Sequence, residues 1–181
     1  MDLSFSRAGP ADVEAVQTVY RQIIDHLAVT VDFPHWHTEN HPTPHQVEQW
    51  VRAGDLYVAV TQRGDPAAER VAGAVVLDHQ APEAYGAAPW AIEAGTEEVL
   101  VVHVLGVAPD FLRRGVASFL VEASLDLARQ KGCRTVRLDA YVENLPAREL
   151  YTRHGFTDLG VHTVRYEGTD LSRFHLFERV L

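Results

Sequence analysis

A basic loop with one glycine lies between an apolar run and a helical pattern, at residues 112–118. A helix that begins here has backbone N–H groups without internal partners, and its dipole adds positive potential. Arg113 and Arg114 add two charges, while Gly115 and Ala117 are small enough for a bulky phosphate to approach the backbone. The loop therefore predicts a diphosphate site, and an ordinary strand-to-helix turn with solvated arginines is the alternative.

Two elements must position this loop. The nearly continuous apolar run at residues 99–107 is typical of a strand buried on both faces. After a turn at residues 108–110, apolar residues recur at helical spacing from Val116 to about Gln130. Gly106, near the end of the strand, is a candidate β-bulge whose freed N–H could bind a carbonyl oxygen.

Composition limits the class of protein and of partner. The chain has 181 residues, which suits one domain over residues 1–181, and 46% of them are hydrophobic. A net charge of −9 argues against nucleic acid and favours cationic ligands such as amines. The single cysteine, Cys133, allows no internal disulfide, and no apolar run is long enough to span a bilayer. We expect a cytoplasmic protein without a membrane partner.

The rest of the chain alternates between strand and helix patterns. Alternating or continuous apolar runs predict strands at residues 3–7, 56–60, 71–77, 134–141 and 174–180, and the last pairs with residues 157–165. Residues 64–66 predict a hairpin turn. Helical spacing predicts helices over residues 10–27, 44–53 and 144–154. Thr43 and Gly54 are expected to begin and end the second of these.

Two segments without clear periodicity are candidates for a ligand-binding site. Residues 33–45 contain four histidines, and they form either a metal site or a substrate-side loop anchored by Phe33 and Trp36. Pro42 and Pro44 interrupt the histidine spacing, so we predict no metal. Residues 80–96 form a long connection, in which Tyr85 and Trp90 either line a substrate pocket or cover the sheet.

Two motifs resemble signatures of the GNAT superfamily, the acyl-CoA N-acyltransferases. Residues 112–117 resemble its motif A, (Q/R)-x-x-G-x-(G/A), except that Leu112 stands where Gln or Arg is usual. Residues 144–156 resemble its second signature, N-x-x-A-x-x-(L/Y)-Y-x-x-x-G-F. The matching residues of this signature are Asn144, Ala147, Leu150, Tyr151, Gly155 and Phe156. The resemblance extends over nearly the whole chain, and the predicted elements and motifs follow one another in the order typical of the family.

The resemblance implies an α/β (α+β) fold: a central mixed, mostly antiparallel sheet of six to seven strands, flanked by about four helices, with a splayed central strand. It implies transfer of an acyl group, usually acetyl, from acetyl-CoA to a primary amine of a small molecule or a protein N-terminus. The amine would attack directly in a ternary complex, without a metal. A homodimer is a weaker expectation. The alternative is a non-catalytic acyl-CoA-binding or interaction module on the same fold.

The resemblance also implies which residues bind the co-substrate. Its pantetheine arm would run beside the strand residues Leu105, Gly106 and Val107. Its diphosphate would be held by Leu112, Arg113, Arg114, Gly115, Val116, Ala117 and Ser118. Asn144 and Ala147 would contact the pantetheine or phosphate side.

The catalytic residues follow from the proton transfers that the reaction needs. By family position, Tyr151 faces the sulfur and protonates or hydrogen-bonds the leaving thiolate. His103, with an ordinary pKa of ~6.5, is the first candidate base, and a hydrogen-bonded core histidine is the alternative. Glu98 or Glu97, acting through water, is the second candidate base.

Overall fold

Seven strands within the described residues form one sheet in the order β1-β2-β3-β4-β5-β7-β6. The structure is a computed structural model, and it describes residues 1–61 and 69–181. The strands are β1 (Leu3–Arg7), β2 (Leu56–Thr61), β3 (Val71–Asp78), β4 (Val99–Val107), β5 (Thr135–Tyr141), β6 (Thr157–Thr163) and β7 (Arg173–Val180). β4 and β5 are parallel, and the other neighbours are antiparallel. The mixed, mostly antiparallel sheet is confirmed, while the turn predicted at residues 64–66 lies outside the described residues.

Five α-helices of the described chain accompany the sheet. They are α1 (Val13–Ala28), α2 (Trp36–Glu39), α3 (Pro44–Ala53), α4 (Val116–Gln130) and α5 (Leu145–Arg153). The bounds of α3 are as predicted, because Thr43 and Gln46 cap each other's backbone N–H groups and Gly54 ends the helix at φ 81°. α1 begins later than predicted, since Pro10–Asp12 forms a separate 3-10 turn.

The two faces of the sheet pack against different parts of the chain. Leu100 in β4 is buried on the face that α1, α3, α4 and α5 cover, which forms the larger core. Its neighbour Val101 points to the other face, as alternation in a strand requires, and joins a smaller cluster with Tyr85 and Phe174. The helices therefore lie on one face, and the second face is closed by loop segments.

Residues 80–96 are fixed against β5 and β7. The guanidinium of Arg137 lies 4.3 Å from the centroid of the Trp90 ring and donates a 3.0 Å hydrogen bond to the Glu178 carboxylate. Glu178 in turn accepts a 2.6 Å hydrogen bond from the backbone N–H of Ala91. Trp90 therefore covers the sheet, which is the second of the two roles expected for it.

β4 and β5 separate after a short parallel pairing. Val99–Val102 pair with residues 135–138. Beyond this point β4 continues along β3 as far as Val107, whereas β5 continues along β7 as far as Tyr141. The predicted splay of the central strand is confirmed, and it opens a cleft between the second halves of the two strands.

A bulge in β4 lies beside this cleft. His103 pairs with Val76 and Gly106 pairs with Ala74, so two β4 residues, 104 and 105, oppose the single residue between Val76 and Ala74 in β3. Val104 has φ 50°, a left-handed conformation unusual for a β-branched residue.

The bulge was expected at Gly106, and that expectation was wrong in position. Gly106 pairs regularly, but it is buried against α1 and α2. A Cβ at this position would lie 2.8 Å from Cδ1 of Ile23 and 3.2 Å from the Trp36 ring. Glycine is therefore needed here for close packing rather than for the bulge itself.

Candidate active site

A cavity of about 780 Å³ occupies the cleft between the diverging ends of β4 and β5. β4 contributes residues 102–105, and β5 contributes residues 139–141. The rest of the lining comes from β3, α3, α5 and its N-cap, the start of β7, and residues 34–46, 80 and 166–171. Of the residues singled out from the sequence, the cavity brings together Trp36, His103, Leu105, Asn144, Ala147 and Tyr151.

Tyr151 lines the cavity from α5 and is held by aromatic packing. Its ring lies 5.7 Å from the rings of both Phe156 and Phe177, and only 7% of the residue is exposed. Its hydroxyl makes no hydrogen bond to the described part of the chain. Burial raises the pKa of Tyr151, and the Asp139 carboxylate raises it further. The phenol is therefore protonated at neutral pH and can donate into the cavity.

The turn that begins α5 explains the position of Tyr151. Asn144 is the N-cap of the helix, and its side-chain oxygen accepts a 3.3 Å hydrogen bond from the N–H of Ala147. Gly155, at φ 76°, follows the last turn. These local signals fix the helix, and the helix places Tyr151 and Ala147 one turn apart on the side of the cavity.

His103 and Asp78 form a half-buried pair on neighbouring strands. His103 Nε2 lies 3.1 Å from Oδ1 of Asp78, and the two side chains are 20% and 15% exposed. Burial by itself lowers the pKa of His103. The hydrogen bond to Asp78, its charge and that of Asp139 outweigh this effect, so the net pKa is raised. Both residues line the cavity, which places an imidazole with a carboxylate partner at its wall.

Asp139 is a cavity carboxylate that was not singled out from the sequence. It accepts hydrogen bonds from the hydroxyls of Tyr85, at 2.9 Å, and Tyr166, at 2.5 Å. Burial raises the pKa of Asp139, and these two hydrogen bonds oppose the rise without cancelling it. The sequence offered one signal for Asp139: it is a charged residue in a predicted strand, on the same face as Arg137 and five positions before Asn144.

Tyr85 packs in the smaller hydrophobic cluster and is not among the residues that line the cavity. The residue is 3% exposed and packs with Trp90, and its hydroxyl reaches Asp139 from outside the cavity. Of the two expectations for Tyr85, cover of the sheet is the one that the structure shows. Its contribution to the site is to orient Asp139.

Glu98 and Glu97 lie outside the cavity. The Glu98 carboxylate accepts a 2.8 Å hydrogen bond from the N–H of Gly95 and lies 3.6 Å from the guanidinium of Arg134. Glu98 precedes Val102, the first cavity residue of β4, by four strand positions, or about 13 Å. Neither glutamate is therefore placed to reach a reacting group directly. Phe33 is half-buried and also outside the lining, whereas Trp36 is part of it.

The N-terminus of α4 is open to an anion. Gly115 is the N-cap at φ 83°, and no side chain caps the helix. Arg113 and Arg114 are exposed beside it, and a Cβ at Gly115 would have no neighbour within 4 Å. Uncapped N–H groups, two cations and free space together suit a diphosphate.

The other residues predicted for this loop differ in exposure. Leu112 is 44% exposed, whereas the Val116 side chain is buried in the core. Val116 can therefore offer only its backbone. Ala117 and Ser118 are half-buried on the first turn of α4. Gly106 and Val107 lie on β4 between the cavity and this loop, outside the lining of the cavity.

One of the histidines of residues 35–45 packs between two tryptophans. The His41 ring lies between those of Trp36, at 6.2 Å, and Trp50, at 6.3 Å, and burial lowers the pKa of His41. Within residues 1–61 and 69–181, no group of three or more metal-binding side chains is close enough to hold a metal ion.

None of the helices in this part of the chain has the length and apolar character needed to cross a membrane.

The sequence matches the acetyltransferase (GNAT) family over residues 22–156. The chain therefore belongs to the GNAT acetyltransferase family. The fold agrees: a GNAT-family acetyltransferase from Listeria monocytogenes superimposes with a TM-score of 0.73 at 19% identity, over 99% of this chain and 95% of that one. Arabidopsis thaliana NAA60, solved in complex with acetyl-CoA, superimposes with a TM-score of 0.71 at 22% identity, over 99% of both chains.

Curated relatives match a shorter stretch. A mycothiol acetyltransferase from Clavibacter michiganensis subsp. michiganensis is 43% identical over 70 residues, which are 39% of this chain and 22% of that protein. An N-alpha-acetyltransferase 30 from Schizosaccharomyces pombe is 28% identical over 87 residues, 48% of this chain and 58% of that one. The chain thus spans less than a quarter of the first relative's length and under two thirds of the second's.

Proposed function

We propose that this protein transfers the acetyl group of acetyl-CoA to the primary amine of a small molecule by direct attack within a ternary complex. The observation that carries the proposal is the position of Tyr151, a buried phenol on the wall of the cleft between β4 and β5 with no hydrogen-bond partner in the described chain. Such a group is expected where a thiolate must receive a proton as it leaves.

The co-substrate fits the structure at two points. The open N-terminus of α4, with Arg113, Arg114 and Gly115, would hold the diphosphate. From there the pantetheine arm would run along Leu105–Val107 into the cleft, where β4 has lost β5 as a partner and its backbone can pair with amides of the arm. The solved complex of the Arabidopsis relative with acetyl-CoA supports the choice of co-substrate.

The acceptor must lose a proton before it attacks, because an alkyl amine with a pKa of ~10.4 is mostly protonated at neutral pH. We assign its removal to His103, whose raised pKa and bond to Asp78 favour proton uptake. Asp139 would hold the ammonium form in place by charge. Because Asp139 is itself a cavity carboxylate, it is also the second candidate for the base.

The remaining steps concern the carbonyl oxygen and the sulfur. As the new N–C bond forms, the oxyanion would accept hydrogen bonds from backbone N–H groups that the bulge at Val104 and Leu105 releases from the ladder. As the C–S bond breaks, Tyr151 would give its proton to the sulfur, and coenzyme A leaves as a thiol. The high pKa of Tyr151 makes the phenol a hydrogen-bond donor until charge develops on the sulfur.

Calorimetric titration with acetyl-CoA, beside a matched titration with NADPH, tests the first part of this proposal. We expect micromolar binding of acetyl-CoA alone. Thiol release in the presence of a panel of amines tests the second part. Binding without release for any amine would favour the alternative, a non-catalytic acyl-CoA-binding module, and absence of binding would overturn both.

A further inference from the structure

Two rows of aromatic rings line the cavity, one from α2, α3 and the turn between them, the other from β5, β7 and the segment before β7. On the side of α2 and α3, the rings of Trp36, His41 and Trp50 meet edge to face, with centroids 6.2 and 6.3 Å apart. All three residues line the cavity. A flat apolar body placed against these rings would gain both burial and favourable ring geometry.

The second row lies on the side of β5 and β7. The Phe174 ring lies 5.7 Å from that of Tyr141 and 5.6 Å from that of Tyr166, again edge to face. All three are cavity residues. Trp36 and Trp50 pack with the core on the helical side of the sheet, whereas the second row packs with the cluster on the other side. A ligand in the cleft would therefore lie between the two rows.

The described lining of the cavity contains carboxylates but neither lysine nor arginine. Glu39, Asp78, Asp139 and Glu167 line the cavity, and within the described residues no lysine or arginine does. Of the lining histidines, His103 is already paired with Asp78. A cationic ligand would find several carboxylates here, whereas an anionic group would find no guanidinium or ammonium partner.

We infer that the acceptor is a small aromatic amine that carries no carboxylate next to its amino group. The inference rests on the proposed acetyl transfer and narrows its substrate. The ammonium would lie among the carboxylates, near Asp139, and the ring would lie between the two aromatic rows, where cation–π and ring–ring contacts add to burial. Tyr151, whose hydroxyl has no hydrogen-bond partner among the described residues, lines the same cavity as Asp139, so the acyl transfer would take place at the amino end of the ligand.

The same features disfavour two other classes of acceptor. An α-amino acid would bring its carboxylate beside the reacting amine, among like charges. A peptide would have to lead its chain out of a cavity that also holds the acyl end of the co-substrate. On one side this route passes the contact between His35 and Glu143, at 3.3 Å, which joins the segment before α2 to the turn before α5.

A matched panel of acceptors tests the inference: 2-phenylethylamine, L-phenylalaninamide, L-phenylalanine and butylamine, each assayed by thiol release with acetyl-CoA. We expect kcat/KM for 2-phenylethylamine to exceed that for L-phenylalanine by at least about 100-fold, because like charges would be forced together. It should exceed that for butylamine by roughly 10-fold, because butylamine has no ring. Equal values for 2-phenylethylamine and L-phenylalanine, or for 2-phenylethylamine and butylamine, would overturn the inference.

The failure of this inference can be told apart from failure of acetyl transfer itself. If acetyl-CoA binds and any amine in a broader panel releases thiol, transfer stands even when the aromatic preference is absent. If nothing releases thiol, the proposed function falls first. The binding measurement and the two panels together therefore separate the proposed acetyl transfer from the preference for an aromatic amine.

A change of charge at the cavity rim gives a second, independent test. Glu167→Arg would supply the missing cation on an exposed segment, and the ratio of kcat/KM for L-phenylalanine to that for 2-phenylethylamine should rise at least about 10-fold. Glu48→Arg is the control, since Glu48 is exposed on α3 outside the cavity and the change in net charge is the same. An equal rise in both variants, or none in Glu167→Arg, contradicts the inference.

Discussion

The hydroxyl of Tyr20 in α1 donates a 2.7 Å hydrogen bond to the carbonyl oxygen of Val104, the residue at which β4 bulges. Tyr20 is 1% exposed and Val104 is half-buried, so the bond joins the core to the wall of the cavity. A side chain of a helix therefore helps to hold the unusual backbone at the wall of the cavity. The bond connects the packing of α1 to the geometry of the site.

Replacing Tyr20 with Phe should reduce the free energy of unfolding by about 1–3 kcal/mol, because the Val104 carbonyl loses its donor in the core. Urea unfolding measures the change. Tyr57→Phe is the control, since Tyr57 is also buried but its hydroxyl accepts a hydrogen bond from Arg7 on the distant edge of the sheet. Equal stability of Tyr20→Phe and wild type would show that the bond does not stabilise the bulge.

Tyr151→Phe should lower kcat by about 10²–10⁴-fold while leaving the Kd for acetyl-CoA within about a factor of three. The ring keeps its packing on Phe156 and Phe177, so only the proton donor is lost. Stopped-flow thiol release gives kcat, and calorimetry gives the Kd. Unchanged turnover would remove Tyr151 from the mechanism, and a parallel loss of binding would indicate a role in holding the co-substrate.

His103→Gln should remove the acidic limb of the pH profile of kcat/KM. A base must be deprotonated to act, so activity falls as the pH drops through its pKa. Because the pKa of His103 is raised, the midpoint of this limb in the wild type should lie above pH ~6.5. Asp139→Asn is the companion variant. If the limb persists in His103→Gln and disappears in Asp139→Asn, the base is Asp139.

Gly115→Val should weaken acetyl-CoA binding by at least about 10-fold. Its φ of 83° strains a β-branched residue, and the new side chain would project where the diphosphate is expected. Gly132→Val is a matched control after the other end of α4. Its φ is 77°, and a Cβ there also has no neighbour within 4 Å. Calorimetry on both variants separates strain from obstruction, and equal losses would contradict the diphosphate assignment.

Most elements could be predicted because their signals are local. Thr43, Gln46 and Gly54 fix α3 from within twelve residues. The position of the bulge could not be predicted in this way. The bulge involves Val104 and its hydrogen-bond donor Tyr20, which lies 84 positions away in α1. Gly106, the residue that suggested a bulge in the sequence, is instead required for close packing against α1 and α2.

The site was predictable where the motifs are contiguous and not where it depends on distant partners. Tyr151 and Asn144 belong to one helix and its cap. Asp139, by contrast, gains its place from two tyrosine hydroxyls 54 positions before it and 27 after it. The ion pair between Glu98 and Arg134 likewise forms only when β5 pairs with β4.

The order of the strands has a consequence for how the chain could be divided. Residues 3–107 supply β1 to β4, and residues 135–180 supply β5 to β7, so each side of the cleft comes from one uninterrupted stretch. A cut after Gly132 would sever no strand and no helix. Two separately produced fragments would recover acetyl transfer only by reassembling along residues 99–102 and 135–138, so enzyme activity would serve as a reporter of fragment complementation.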